Sequence, residues 1–119
     1  MARGPRLPVG ASGANSTMDY QELDRSFLAV SHPVRRAIVE RLLDGPATVG
    51  RASGGLGVTK PAVTKHLKIL EAAGVVTRTV RGRTHVLRLE PGSLRDAADW
   101  LSIAEGRPPS RRAPLVRAS

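Results

Sequence analysis

The sequence contains no cysteine. Disulfides, thiolate metal sites and cysteine nucleophiles are excluded together, and a cytoplasmic, reducing setting is compatible with the chain. Aromatic residues are almost as scarce: one Phe, one Trp and one Tyr in 119 residues, too few for the stacking platforms that read single strands or RNA. Nowhere do about 18 apolar residues run together, so no membrane-spanning helix is expected. The basic residues sit on patterned segments rather than beside an apolar anchor, which argues against a membrane surface as partner. Acidic residues are outnumbered, 10 against 19 Lys plus Arg, for a formal net charge of +9. On one small domain that excess favours an anionic polymer, double-stranded nucleic acid first.

Catalytic signatures are missing as well. There is no nucleophile motif, no GxxxxGK[ST] phosphate cradle, and no cluster of carboxylates or histidines at catalytic spacing. The three histidines, His32, His66 and His85, have no spacing that suggests a shared metal site. An enzyme is not expected, nor a cofactor or metal.

Residues 1–17 are interrupted throughout by Gly and Pro and lack the apolar core of a signal peptide, so they read as a disordered leader. Residues 105–119, rich in Pro and Arg, read as a disordered basic tail. Between them, residues 18–104 form one domain. A first helix is predicted from about Met18 to Val30, where Leu23, Phe27 and Val30 recur at helical spacing and Asp19 and Glu22 sit in the first turn. Ser31, His32 and Pro33 interrupt it, with His32 placed to cap the next helix and Pro33 to open it. That second helix ends at Gly45, and Val34, Ile38 and Leu42 form its apolar stripe. Arg35 and Arg36 turn away from the stripe and are expected to pair with first-helix carboxylates such as Asp19, Glu22 or Asp24, the alternative being contact with backbone phosphate.

Thr48 is a plausible cap for a short third helix reaching about Gly54, weakened by Gly50, Gly54 and Gly55. Thr59 caps a fourth, with Pro61 tolerated in its first turn and Gly74 as its stop. From Val75 to Leu89 the period changes from helical to alternating, with a turn at Arg81, Gly82 and Arg83, which predicts a β-hairpin. Ser93 is the expected cap of a last helix from about Leu94 to Ala104, striped by Leu94, Ala97, Leu101 and Ala104 beside Trp100.

A short helix, a turn, a longer helix and an immediate hairpin make a winged helix-turn-helix: mainly α with a small β-hairpin, five helices plus a wing. This arrangement sets the fourth helix in a major groove while the wing lies along the backbone. On that helix Val63, Leu67 and Leu70 face inward. Lys60, Thr64, Lys65 and Lys68 face outward, and Ala62 is small enough to permit close approach to a base edge or a thymine methyl. Arg78, Arg81, Arg83 and Arg88 add charge from the hairpin. From Lys60 through Arg88 seven basic residues face one acid, Glu71, so the positive charge is concentrated where DNA is expected. The candidate DNA contacts are Thr48, Thr59, Lys60, Pro61, Ala62, Thr64, Lys65, His66, Lys68, Arg78, Arg81 and Arg83. For His66, between the two faces, helix packing and phosphate contact are equally open. His85 suits a wing contact or a cross-strand pair. The outer helices carry more apolar surface than so small a domain easily hides. Tyr20, Leu23, Phe27, Leu94, Ala97, Trp100 and Leu101 are therefore candidates for a homodimer interface, the alternative being intrachain packing of the two helices alone.

The runs HPVRRAIVERLLDGPATVG and VTKPAVTKHLKILEAAGVVTRTVRGRTHVLRLEP resemble the ArsR-type family of bacterial repressors over about Leu23 to Trp100. The most specific parts are PVRRAIVERL and PAVTKHLKILEAAGVV, the latter similar to the family's recognition helix and its exit into the wing. The resemblance implies a homodimer whose outer helices pair and whose two recognition helices read an imperfect palindrome in a promoter, usually repressing transcription and often that of its own operon. Family members that sense metals do so through cysteines, or through Asp and His in the last helix. Here there is no cysteine, and the last helix offers Asp96, Asp99 and Glu105 with no histidine, so neither ligand set carries over and the chain is closer to the metal-independent branch. RASGGLG is glycine-rich where relatives have a well-formed helix, which predicts local flexibility. The competing function is a nonspecific architectural nucleic-acid-binding protein, separated from a sequence reader by its lack of preference for any operator over random DNA.

Overall fold

The computed structural model describes residues 19–108; the leader 1–17 and most of the expected tail lie outside them. The order of elements is α1 (Tyr20–Ala29), α2 (Pro33–Leu42), β1 (Ala47–Thr48), α3 (Val49–Ser53), α4 (Lys60–Ala72), β2 (Val76–Arg81), β3 (Thr84–Leu89) and α5 (Arg95–Ala104). Five helices and a small antiparallel sheet make a winged helix-turn-helix.

Local chemistry sets most of the boundaries. Asp19 caps α1 by accepting from the amides of Gln21 at 2.9 Å and Glu22 at 3.2 Å. His32 caps α2 through Nδ1, which accepts from the Val34 amide at 3.0 Å, with Pro33 at the first helical position, where no amide is needed. Thr48 and Thr59 cap α3 and α4, each hydroxyl accepting an amide three residues on at 3.2 Å. At the end of α4 the Gly74 amide reaches Glu71 O at 2.9 Å and the Val75 amide reaches Leu70 O at 3.0 Å. Gly74 takes φ +74, and this left-handed residue stops the helix and aims the chain into the wing. Ser93, expected to cap α5, does not. Its amide is drawn into a turn on Glu90 O at 3.2 Å, and α5 begins one residue later, behind Leu94, with no side-chain cap. At its other end Glu105, Gly106 and Arg107 form the C-cap of α5.

The hairpin has a third strand that the alternating pattern did not reveal. β1 pairs antiparallel with β3, Ala47 opposite Leu87 and Thr48 opposite Val86, giving the strand order β1-β3-β2. Two residues are too short for a readable period, but they fix the start of α3 to the base of the wing. Within the hairpin Val76 stands opposite Leu89 and Arg81 opposite Thr84, and Gly82 turns the tip at φ +62.

One core ties these parts together. Ala29, Ile38, Leu42, Ala52, Val63, Leu67, Leu70, Val75, Val76 and Leu87 are buried and mutually packed. They come from α1, α2, α3, α4, the sheet and the residue leading into it, so the recognition unit and the wing share one hydrophobic support. The glycine-rich segment after α3 is braced from outside. Nη1 of Arg41 donates to Arg51 O and Ala52 O at 3.2 Å each and to Gly54 O at 2.7 Å. Ser53 Oγ donates back to Val49 O at 2.7 Å, and Ala52 is fully buried. Where the composition predicts flexibility, an arginine from α2 closes the carbonyl end of α3. Among the described residues no helix is long and apolar enough to cross a membrane.

Candidate nucleic-acid interface

α4 is amphipathic in the expected sense. Val63, Leu67 and Leu70 are buried, while Lys60, Pro61, Thr64, Lys65 and Lys68 are exposed and Ala62 and Ile69 are half-buried. None of the three lysine side chains has a hydrogen-bond or ion-pair partner among the described residues. Thr64 Oγ1 donates to Lys60 O at 3.2 Å, which leaves its lone pairs free to accept. Thr48 and Thr59 use their oxygens as caps, so each hydroxyl hydrogen remains available to a phosphate. The exposed arginines Arg81 and Arg83 flank the wing tip.

Three expectations change. Arg78, expected at the DNA, turns toward α4: its Nε lies 2.7 Å from Glu71 Oε2 and its Nη1 3.1 Å from His85 Nδ1. Strand alternation puts it on the side of the sheet that faces the helix, where a carboxylate waits, and it fastens the wing to α4. Arg88 likewise pairs with Glu90 at 2.9 Å. Thr77 donates to the same Glu90 oxygen at 2.8 Å, and the bonds from Arg88 and Thr77 hold the Glu90 carboxyl below its ordinary pKa. Arg35 and Arg36 do not pair with α1 carboxylates. They donate to the last carbonyls of α1 and its C-cap: Arg36 to Val30 O at 2.8 Å, and Arg35 to Ala29 O at 3.1 Å and Leu28 O at 3.0 Å. His66 is half-buried, its Nδ1 2.8 Å from Arg35 Nη1 and its ring 4.5 Å from that of His32, which is the packing role of the two left open.

α1 also meets α5. Phe27 and Trp100 pack edge to face with centroids 5.7 Å apart. Tyr20, Trp100 and Leu101 remain exposed, joined by Leu28 and by Ile103, 53% exposed. Leu28 was missed because it falls off the Leu23–Phe27–Val30 stripe. Leu23 and Ala97, expected at a dimer interface, are each only 5% exposed, already covered within the protomer. Leu94 is half-buried against the main core. The inner faces of these helices close the protomer, and their outer faces are left apolar and exposed. Among the described residues no group of three or more His, Asp or Glu converges in a way that could hold a metal ion.

A helix-turn-helix with an unpaired basic face and a charged wing defines a DNA-binding transcription regulator, and the relatives agree. A family model described as "Helix-turn-helix domain" matches residues 30–79. The HTH-type transcriptional regulator Rv2034 of Mycobacterium tuberculosis is 43% identical over 75 residues, 63% of this chain and 70% of that protein. The transcriptional repressor SdpR of Bacillus subtilis is 30% identical over 79 residues, 66% of this chain and 88% of that one. Among solved structures, the ArsR family transcriptional regulator RHA00566 has a TM-score of 0.70 at 28% identity, covering 75% of this chain and 92% of its own. The chain belongs to the ArsR-type winged helix-turn-helix transcription regulators.

Proposed function

We infer that the protein is a non-catalytic, homodimeric repressor that reads an imperfect palindrome in promoters. The observation that carries this reading is the outer face of α4, where Lys60, Thr64, Lys65 and Lys68 are exposed together and no acid offsets them. Helical spacing lines these residues along one edge, with Ala62 beside them for close approach, and Arg81 and Arg83 stand ready to hold the flanking phosphates. The apolar outer faces of α1 and α5 support a two-fold pairing that sets two copies of α4 about 34–36 Å apart, one helical turn of DNA. A solved relative described as a homodimeric winged helix-turn-helix domain, 18% identical, shares the fold with a TM-score of 0.55.

The test is selection of genomic fragments by the purified full chain at physiological salt, with mass measured in parallel by light scattering. An enriched palindrome and a dimeric mass are expected. Unselective recovery would overturn the reading in favour of an architectural protein that binds through charge alone.

A further inference from the structure

Arg35 is buried, 5% exposed, and no carboxylate accompanies it: the ion pairs among the described residues are Arg78–Glu71 and Arg88–Glu90. Its donors are spent on uncharged acceptors. Nε and Nη2 take Ala29 O and Leu28 O from the last turn of α1, and Nη2 also lies 3.4 Å from Ser31 Oγ. Nη1 crosses to the middle of α4 and meets His66 Nδ1 at 2.8 Å. One side chain on α2 thus joins the end of α1 to the recognition helix. A guanidinium only donates, so His66 must present a lone pair at Nδ1 and carry its proton on Nε2. His32 is constrained separately, its Nδ1 occupied by the Val34 amide.

We propose that the Arg35–His66 pair is a positioning device for DNA binding: it fixes the seat of α4 against α1 and α2, it holds only while His66 is uncharged, and operator affinity falls when His66 takes up a proton. The proposal rests on the sequence-reading function above. The groups that face His66 are His32, from the turn before α2, and Arg35, from α2 itself. The end of α1 holds the remaining donors of Arg35. No carboxylate stands within ion-pair distance of the imidazole. Burial first, then the His32 and Arg35 charges, push its pKa below the ordinary histidine value. Protonation would set an N–H against the Arg35 N–H and add a second positive charge to a buried site. The seat of α4 then loosens and the fraction of molecules competent to bind falls.

The experiment uses the full chain and two variants. His66→Asn sets an amide oxygen near the place of Nδ1 and does not titrate; His66→Leu removes the acceptor. The probes are the duplex recovered by genomic selection and a scrambled duplex of the same composition. At about pH 7.5 the Asn variant is expected to bind the selected duplex within about twofold of wild type and the Leu variant about tenfold more weakly, the worth of one hydrogen bond to a charged group. On acidification to about pH 5 at fixed salt, wild type should lose affinity relative to the Asn variant on the selected duplex and not on the scrambled one. A Leu variant that binds like wild type would overturn the proposal, as would a wild-type to Asn ratio that stays constant with pH. That ratio decides the matter even where the Leu variant fails to fold. If selection yields no preferred duplex, the sequence-reading function fails on its own, and the anchor is read instead from amide exchange along Lys60–Glu71. Exchange should accelerate in the Leu variant at neutral pH and in wild type only on acidification; an unchanged pattern overturns the anchor.

Discussion

Replacing Arg41 by alanine removes the brace on the carbonyl end of α3. A single guanidinium nitrogen faces three oxygens, on Arg51, Ala52 and Gly54 at 3.2, 3.2 and 2.7 Å. That nitrogen carries two hydrogens, so the arrangement is worth roughly two hydrogen bonds. Arg41 is exposed, and two of the three contacts are solvent-accessible, so each bond belongs at about 0.5–1 kcal/mol rather than at the higher value of a buried charged bond. The loss is then about 1–2 kcal/mol. Thr48 still caps α3 and Ala52 still fills the core, so the fold survives. Opening of the segment after α3 should rise about tenfold, and Tm should fall by about 5–10 °C for a domain of this size. Native-state amide exchange of residues 53–57 reads the first effect and a thermal melt the second. Arg41→Lys, with a point charge in place of the planar fork, should recover less than half of either. If Arg41→Ala leaves both exchange and Tm at wild-type values, Arg41 is not what orders the glycine-rich turn.

Lys65→Ala should weaken binding of the selected duplex by about 1–3 kcal/mol with folding and mass unchanged; equal affinity at fixed salt removes Lys65 from the interface. The double change Leu101→Glu and Ile103→Glu puts charge on side chains that are half exposed in the protomer. It should leave the monomer folded while raising the dimer dissociation constant by roughly thirtyfold or more, read by light scattering across a dilution series. For Glu90 the folded pKa lies below the unfolded one, so the unfolded state binds the extra proton. Its contribution is present above the ordinary carboxylate pKa and lost as pH falls through its folded value. The urea midpoints of wild type and Glu90→Gln should therefore converge on acidification, and a constant gap would contradict the pairing with Arg88 and Thr77.

Helix ends were legible in the sequence because their signals are local. His32-Pro33, Thr48, Thr59 and Gly74 each satisfy or stop backbone groups within a few residues of themselves. The inner stripe of α4 was legible for the same reason, one period over one helix. What escaped was decided at a distance. β1 is two residues long, and only Leu87 and Val86, nearly forty positions away, make it a strand. Arg35 stands three and seven residues before Ile38 and Leu42, at the edge of the buried face of α2, but its charge points a reading by residue type to solvent. Its burial depends on the last carbonyls of α1, which belong to a different helix. Ser93 carries a good local signal that lost to the turn over Glu90–Ser93, since chain direction after the wing had first to be reversed. Leu23 and Ala97 bear the apolar character of an interface, but periodicity does not say which neighbour covers them.

Among the described residues, the internal side-chain bonds of this domain draw on some of its arginines and on none of its lysines. Arg35, Arg36, Arg41, Arg78 and Arg88 all donate within the chain, whereas Lys60, Lys65 and Lys68 make no side-chain bond among the described residues. A planar fork can satisfy several oxygens at once, and a compact ammonium on a flexible stem is better left to solvent or phosphate. Net charge over Lys60 to Arg88 therefore overstates what this region offers to DNA. Of its seven cations, Arg78 and Arg88 are spent on Glu71 and Glu90, and Lys60, Lys65, Lys68, Arg81 and Arg83 remain. Salt dependence makes the difference measurable, because each phosphate contact adds about 0.9 to the slope of log K against log salt. Arg83→Gln should flatten the slope by about 1.8 for a dimer, while Arg78→Gln should lower Tm and leave the slope alone. Were Arg78→Gln to flatten it equally, Arg78 would have to leave Glu71 on binding, and the wing would be a part that moves to the DNA rather than one already set for it.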